Sequence, residues 1–428
     1  MAVTKYGDLQ LNSFVANFVA TGHWNVYHYF AETPPLRPIA TVMPPAYYVT
    51  TGLYLGLLHL VHLDPVPRHA DFLYARIFGV THGWNMFWGL MLLKIPNLIA
   101  LVVGAWAMGQ LAHKVNGRPE MMSRLWLFSP IVIAESFMQA QMDIIPATLT
   151  ILALLAYTRD QEWKLFVWLG IAAAFQVYPL LFVPPTALLL ARGNFGRVIK
   201  WGVVASVPFL LSLSPFLGHA LITRVFFAKN GASLFSSVRL GLIPVHLWLM
   251  IYAIICYTAW RLGIAYRFKE GTLAVGFIWM MVCSSIFIFS YWLPQWIVWL
   301  VPMAVLFAER NRTFLLWWTL GNVLFLANNL LAFPRNLYGH LLSALFNHPV
   351  LWTYPQIAGP HGPTLIYALL LIAFGALVYQ AFRITQSTPE TLTAQKALTW
   401  YTVPFFVYLA ALCAQHVLSL SPGFLRLQ

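Results

Sequence analysis

Apolar stretches of about 20 residues recur along the whole chain and are separated by short polar turns. Each stretch is long enough to cross a bilayer core of about 30 Å as a helix. The segments LIALVVGAW and ATLTILALLAY are apolar on every side, whereas a membrane β-strand would alternate polar and apolar residues. The pattern therefore predicts an all-α fold, a polytopic transmembrane helix bundle of about 11–13 spans.

The predicted spans begin near residue 90. They are placed at 90–112, 124–140, 144–158, 165–178, 179–191, 201–219, 240–260, 271–290, 293–308, 313–333, 364–382 and 402–420. The apolar run at 165–191 is too long for one helix and short for two, and Pro179 divides it.

The first part of the chain has a different character from the rest. Residues 1–40 are too polar to span, and Met43–Leu63 is apolar but rich in proline, tyrosine and histidine. Met43–Leu63 could span, but this would scramble the charge pattern of the later loops, so an interfacial position is favoured. We expect two parts, an extracytoplasmic segment with interfacial helices at 1–89 and a transmembrane helix bundle at 90–428.

Composition and charge agree with a membrane protein. Hydrophobic residues make up 60% of the chain and charged residues only 9%, against about 25% in a soluble domain. The net charge of +13 does not indicate nucleic-acid binding, because the basic residues sit in short clusters between apolar stretches. Fifteen of the 25 basic residues fall in alternate short loops, which predicts that these loops are cytoplasmic.

The opposite, extracytoplasmic side then holds the N-terminal segment and the loops at 220–240 and 334–363. A polar N-terminus on that side can be reached in two ways: the short tail crosses the membrane by itself, or the native protein begins earlier with a further span. We favour the second. The absence of retention signals favours a bacterial plasma membrane over the endoplasmic reticulum.

Few residues in the chain are spaced as in a known metal-binding or catalytic motif. Cys256, Cys283 and Cys413 lie in apolar stretches and are expected to be small core residues, and the histidines form no metal-binding motif. We therefore expect no metal and no cofactor. Asp8 and Asp143 are acidic groups assigned to the extracytoplasmic side, although Asp8 could be a solvated tail residue and Asp143 a helix cap ahead of Pro146.

Cations on the same side are candidates for phosphate recognition. Arg224, Lys229 and Arg239 lie in RVFFAKNGASLFSSVRL, where a lipid-linked phosphate would be bound by such groups. Ordinary contact with lipid headgroups is the alternative. The turn SYWLPQW could likewise be an aromatic belt at the interface.

The order of these segments resembles a known family, the GT-C class of polytopic glycosyltransferases. The chain is most similar to the branch of glycosylphosphatidylinositol mannosyltransferase I and its bacterial relatives. The resemblance lies in GDLQLNSFVANFVATGHWNVYHYF, PPAYYVTTGLYLGLLHL, KIPNLIALVVGAW, LFSPIVIAESFMQAQMDIIPATL, GIAAAFQVYPLLFVPP and SYWLPQWIVWLVP. The chain carries Gln176 where relatives commonly have lysine, and Ala140–Asp143 as its form of a GQxD-like turn.

This resemblance implies a function and roles for residues. A hexose, most often mannose, would pass from a polyprenyl- or dolichyl-phosphate sugar to a lipid-linked or glycan acceptor, with inversion. Asp8 would be the catalytic base, Arg224 and Lys229 would bind the phosphate, and Asp143, Gln141 and Tyr178 would position substrate. The residues alone leave two alternatives open. A transporter or lipid flippase is one, because Pro179 and Pro294 interrupt apolar runs. A non-catalytic scaffold subunit is the other.

Overall fold

The computed structural model of the protein describes residues 7–33, 43–63, 91–138, 141–226, 238–240, 243–245, 247–265, 271–289, 294–332 and 362–386. The predicted span at 402–420, Lys229 and Cys413 lie outside these stretches. Cys283 is buried in the core, as predicted, whereas Cys256 is only half-buried.

Helices account for most of the described chain. The N-terminal unit has α1 (Gly7–Ala20), α2 (Val26–Glu32) and α3 (Pro45–Leu60). The bundle has α4 (Ile95–Lys114), α5 (Pro119–Leu127), α6 (Pro130–Ile133), α7 (Ile144–Tyr157), α8 (Glu162–Phe175), α9 (Val183–Ala191), α10 (Phe195–Leu213), α11 (His219–Leu221), α12 (Leu247–Ala265), α13 (Gly271–Phe289), α14 (Val301–Ala308), α15 (Arg312–Ala332) and α16 (Gly362–Gln386).

Shorter elements connect these helices. The 3-10 helices are Tyr178–Phe182, Ser214–Phe216 and Pro294–Leu300, and the π-helices are Ala134–Met138 and Ile222–Phe226. Strands β1 (Val238–Leu240) and β2 (Ile243–Val245) form an antiparallel pair in which Leu240 lies opposite Ile243. This hairpin corrects the prediction of a helical span beginning at residue 240. Apart from it, the described fold is all-helical, as predicted.

One predicted span is divided by its own sequence. The span expected at 124–140 is wrong, because α5 ends at Leu127 and α6 starts anew at Pro130. Ser129 caps α6, its hydroxyl accepting a hydrogen bond from the amide of Val132 at 3.3 Å. Proline then fits the first turn of α6, where no amide donor is needed.

The N-terminal helices α1 and α3 run side by side in the same direction. The Tyr48 hydroxyl donates to Asn12 Oδ1 at 3.3 Å, and further along α3 Gly52 packs against Ala16 and Gly56 faces Ala20. The partners in all three pairs are 36 positions apart, so the register is constant along both helices. Gly52 has no Cβ, which allows the close approach, since a Cβ there would lie 2.7 Å from the Ala16 carbonyl oxygen.

Within the described stretches, two helices are long and apolar enough by themselves to cross a membrane, Met91–Lys114 and Phe195–Phe216. Other described helices of the bundle are apolar but shorter. Large apolar side chains are exposed on α4 at Leu98, Val102 and Trp106, about one turn apart. Such a stripe would be unfavourable in water and is suited to contact with lipid.

Charged groups hold the bundle together at the end where α4 finishes. Arg118 Nε lies 2.9 Å from Glu309 Oε1, joining the turn after α4 to the end of α14. Arg197 Nη2 lies 2.7 Å from Glu162 Oε2, joining the starts of α10 and α8. These residues belong to the loops whose charge indicates the cytoplasmic side, and we call this the basic end.

Candidate active site

The turn before α7 lies at the other end of the bundle and is held by a buried amide. Asn97 Nδ2 donates to the carbonyl of Ser136 at 2.7 Å and to that of Gln141 at 3.0 Å. The Gln141 amide donates in turn to the Glu135 carbonyl at 2.9 Å. Asn97, Glu135, Ser136 and Gln141 are all buried. One side chain of α4 thus fixes both arms of the turn that leads to Asp143.

Asp143 is buried at the start of α7 and accepts a hydrogen bond from the chain's later half. Trp299 Nε1 donates to Asp143 Oδ1 at 2.7 Å. Asp143 occupies the N-cap position, but its side chain makes no capping hydrogen bond. The alternative interpretation of Asp143 as a helix cap therefore holds for its position, but Oδ1 is directed to the indole of Trp299 and not to a backbone amide of α7.

The ring of Tyr178 packs against Trp299, the residue that hydrogen-bonds Asp143. It stacks on Trp299 with a centroid distance of 4.0 Å and an interplanar angle of 8°. On its other face Trp299 stacks on Trp296 at 4.9 Å and 17°. The hydroxyl of Tyr178 is buried and has no hydrogen-bond partner among the described residues. We call Tyr178, Trp299 and Trp296 the aromatic stack.

The N-terminal unit reaches this region through Met43, the residue before the N-cap of α3. The Tyr27 hydroxyl donates to the Met43 carbonyl at 2.5 Å, and the Met43 amide lies 3.5 Å from the Tyr48 hydroxyl. Burial, and secondarily Tyr48, raises the pKa of Tyr27, so its phenol stays a donor. Gln176, two residues before Tyr178, has its Nε2 atom 3.6 Å from Met43 Sδ.

Asp8 lies in the first turn of α1, and its side chain is outside the described residues. The partners on α1 and α3 are 36 positions apart. When this register is extended by one turn towards the starts of both helices, the first turn of α1 lies beside Pro44 and Met43. A second link joins α3 to the bundle, since Thr51 Oγ1 lies 3.9 Å from Met142 Sδ. The start of α1 and Asp143 are therefore at the same end of the molecule.

Arg224 also reaches the N-terminal unit, whereas Lys229 is outside the described residues. Arg224 Nη2 donates a weak hydrogen bond to the carbonyl oxygen of Phe30 at 3.5 Å. Partial burial lowers the pKa of the Arg224 guanidinium, and the neighbouring Tyr48 has the opposite, smaller effect. An arginine remains charged under these conditions, so Arg224 is a cation close to the Tyr48–Asn12 pair.

Comparison with known families gives one finding. Residues 72–192 match the model of the MptA/B family, described as alpha-(1->6)-mannopyranosyltransferase, N-terminal domain. Over this stretch the chain is similar to the MptA/B mannosyltransferase family. The search of curated proteins returned no match.

The mannosyltransferase match includes Asn97, Gln141, Asp143 and Tyr178, while Asp8, Arg224 and Trp299 lie outside the matched stretch. The predicted class is confirmed, since the family is one of membrane mannosyltransferases that transfer mannose to a glycan acceptor. The described structure gathers Asp143, Gln141, Tyr178 and Arg224 towards one end of the protein.

Sequence reasoning missed two buried residues of this region. Asn97 and Trp299 were not candidates, although both hold predicted site residues in place. Asn97 had a detectable signal, because an amide in an apolar run needs partners within the protein. Trp299 had none, since its role depends on a residue 156 positions away.

Proposed function

We propose that the protein transfers mannose from a polyprenyl-phosphate mannose to a lipid-linked or glycan acceptor at the extracytoplasmic face, with inversion at the anomeric carbon. The family match supports the mannosyl group and the glycan acceptor. The donor, the stereochemistry, the side of the membrane and the bacterial plasma membrane are the finer parts of this proposal.

Asp8 acts as the general base in this account. Its carboxylate takes the proton of the acceptor hydroxyl while that oxygen bonds to the anomeric carbon, and the bond from this carbon to the phosphate oxygen breaks. The pair of electrons leaves on the polyprenyl phosphate. A single in-line displacement of this kind inverts the configuration, and a positioned base contributes about 10²–10⁴-fold to such a step.

The observation that carries the proposal is the parallel register of α1 and α3. The Asn12–Tyr48 hydrogen bond and the Ala16–Gly52 contact set the first turn of α1 beside Met43. Met43 is in contact with Gln176, which leads directly into Tyr178 and, through Trp299, to Asp143. A base at the start of α1 is therefore near the polar groups that would hold a substrate.

The leaving phosphate gathers negative charge as the glycosidic bond breaks. Arg224 would stabilise this charge, because a guanidinium offers two parallel donors to phosphate oxygens. It is half-buried, and it lies beside α2 and Tyr48 rather than at the basic end of the bundle. Lys229, five residues later, would be a second phosphate ligand. Asp143, Gln141 and Tyr178 would position the acceptor or the donor.

An in vitro transfer assay tests this function. Purified protein in nanodiscs receives radiolabelled polyprenyl-phosphate mannose, glucose or arabinose, with native lipid and glycan extracts as acceptors. We expect label to move from the mannose donor alone, and the product to have the anomeric configuration opposite to that of the donor. Retained configuration would contradict the single displacement, and transfer only from a nucleotide sugar would contradict the lipid-phosphate donor.

A further inference from the structure

Helices α8 and α10 lie side by side and run in the same direction from the basic end. Three pairs of residues in contact, each 35 positions apart, fix this arrangement: Glu162 with Arg197, Phe166 with Trp201, and Gly170 with Ala205. The first pair is an ion pair of 2.7 Å, and the second is a ring stack with centroids 5.1 Å apart and an interplanar angle of 9°. Because the interval is the same in each pair, the two helices are parallel and in constant register.

This register brings Trp163 and Lys200 to the same side of the contact between the helices. Successive residues of an α-helix are turned by about 100°. In two parallel helices, the residue after a contact position on one and the residue before a contact position on the other therefore project to the same side. Trp163 follows Glu162 on α8, and Lys200 precedes Trp201 on α10. We call this side of the α8–α10 contact the seam.

Beyond its first turn the seam is aliphatic. The same rule, applied one turn further from the basic end, adds Val167 on α8 and Val204 on α10, and Ile171 follows on α8. All three are partly exposed, so the described structure leaves this side of the contact partly uncovered. Helix α10 belongs to Phe195–Phe216, which is long and apolar enough to cross a membrane, so an aliphatic strip along it is suited to a lipid chain.

Two lysine ammonium groups lie on indole rings at the basic end of the seam. Lys200 Nζ is 4.9 Å from the ring centroid of Trp201, and Lys164 Nζ is 5.3 Å from that of Trp163. Among the described residues neither lysine has an ion-pair partner, and the neighbouring Glu162 is already held in its own ion pair. Trp163 is 52% exposed, as is typical of a tryptophan at the headgroup level of a bilayer. Two cations are therefore held at the level of the lipid phosphates.

We propose that the seam binds one phospholipid with an anionic headgroup, whose phosphate contacts Lys164 and Lys200 and whose acyl chain covers Val167, Ile171 and Val204. The opposite charge of the two lysines selects the headgroup, and removal of apolar surface from contact with water or with mobile lipid holds the chain. A zwitterionic phospholipid carries its own ammonium group, which the lysines repel. The seam starts at the basic end, opposite the proposed active site, and its lipid takes no part in mannosyl transfer.

Lipid titration followed by native mass spectrometry tests the site. Detergent-purified protein receives phosphatidylglycerol or phosphatidylcholine, and the fraction with one bound lipid gives the affinity. We expect Lys164→Gln and Lys200→Gln each to weaken phosphatidylglycerol binding about fivefold, and phosphatidylcholine to bind more weakly than phosphatidylglycerol to wild type. Lys114→Gln removes an exposed lysine of α4 at the same basic end, so it is the matched control and should bind like wild type. Equal affinity in the Lys114 and Lys200 variants, or equal affinity of wild type for the two lipids, would overturn the site.

A steric change tests the acyl chain separately from the charge. Val167→Trp fills the seam without removing a cation, and we expect it to weaken phosphatidylglycerol binding. Val203→Trp is the control, because Val203 is 57% exposed and lies two positions before Ala205, on the side of α10 turned away from α8. Equal binding by these two variants would contradict a chain in the seam. Displacement of the lipid by an equal concentration of glycerol phosphate, a headgroup without chains, would show a site for a free phosphate and overturn the lipid.

Discussion

The Tyr48 hydroxyl donates a hydrogen bond to Asn12 Oδ1 at 3.3 Å, and this bond joins α3 to α1 one turn from the start of each helix. Both residues are buried, so the bond is shielded from water and costly to lose. It belongs to a register that continues through Gly52 and Gly56. The position of the catalytic base proposed here depends on this packing.

Gly52→Ala tests the contact directly. The new Cβ would lie 2.5 Å from Val19 Cβ and 2.7 Å from the Ala16 carbonyl oxygen, so α1 must move away from α3. We expect a loss of about 1–3 kcal/mol in stability, measured by thermal unfolding in detergent, together with reduced mannosyl transfer. Gly56→Ala is the matched control, since its nearest atom is 4.0 Å away. That change should be neutral or stabilising by up to about 1 kcal/mol, and equal effects of the two would contradict the register.

Asn97→Leu should misplace the turn that carries Gln141 and Asp143. The change leaves the carbonyls of Ser136 and Gln141 without their donor in a buried place, at a cost of about 1–3 kcal/mol each. We expect a large fall in kcat/KM for transfer. Asn322→Leu is the control, because Asn322 is also buried but, among the residues that the structure describes, bonds within its own helix to the Trp318 carbonyl at 2.6 Å. Transfer by the Asn97 variant at the level of the control would show that the turn does not need this amide.

Arg224→Gln should weaken donor binding. Loss of a charge-assisted hydrogen bond to phosphate costs about 1.5–3 kcal/mol, which corresponds to a rise of about 10–100-fold in KM for the lipid-phosphate donor. KM for the acceptor should change little. Arg261→Gln removes an exposed cation near the basic end and serves as the control. Equal donor KM in both variants would exclude Arg224 as the phosphate ligand.

Glu309→Gln should lower stability and leave substrate binding unchanged. The Glu309 carboxylate is 7% exposed and accepts from both the side chain and the backbone amide of Arg118, at 2.9 and 3.2 Å. We expect a loss of about 1–3 kcal/mol in thermal unfolding. Glu120→Gln breaks an exposed pair with Arg124 and should cost no more than about 0.5 kcal/mol. A changed KM in the Glu309 variant would contradict the location of the site at the opposite end.

Hydrophobic pattern predicted the regular helices well. The spans expected at 144–158, 271–290 and 313–333 correspond to α7, α13 and α15 within one residue or two at each end. The run at 165–191 is divided at Tyr178–Phe182, around the proline that predicted a break. These elements are determined by local apolar composition and by proline, which can be read from the sequence.

The site was predictable only in part, because its geometry depends on distant partners. The candidates Asp143, Gln141 and Tyr178 lie in one region. They are held there by Asn97 on α4, which binds Gln141, and by Trp299, which binds Asp143 and stacks on Tyr178. The π-helix Ala134–Met138 likewise has no signature in a run that appeared to be one span. Tertiary contacts of this kind override local propensity and are invisible to periodicity.

The most direct test of the account is the rate of mannosyl transfer by Asp8→Asn, measured beside Asp160→Asn. Asp160 has a φ of 57°, a left-handed conformation that asparagine also adopts, so its change should be silent. We predict that Asp8→Asn lowers the rate about 10²–10⁴-fold while donor binding remains at the wild-type level. A rate equal to that of Asp160→Asn would contradict Asp8 as the catalytic base, and with it the proposed site at the start of α1.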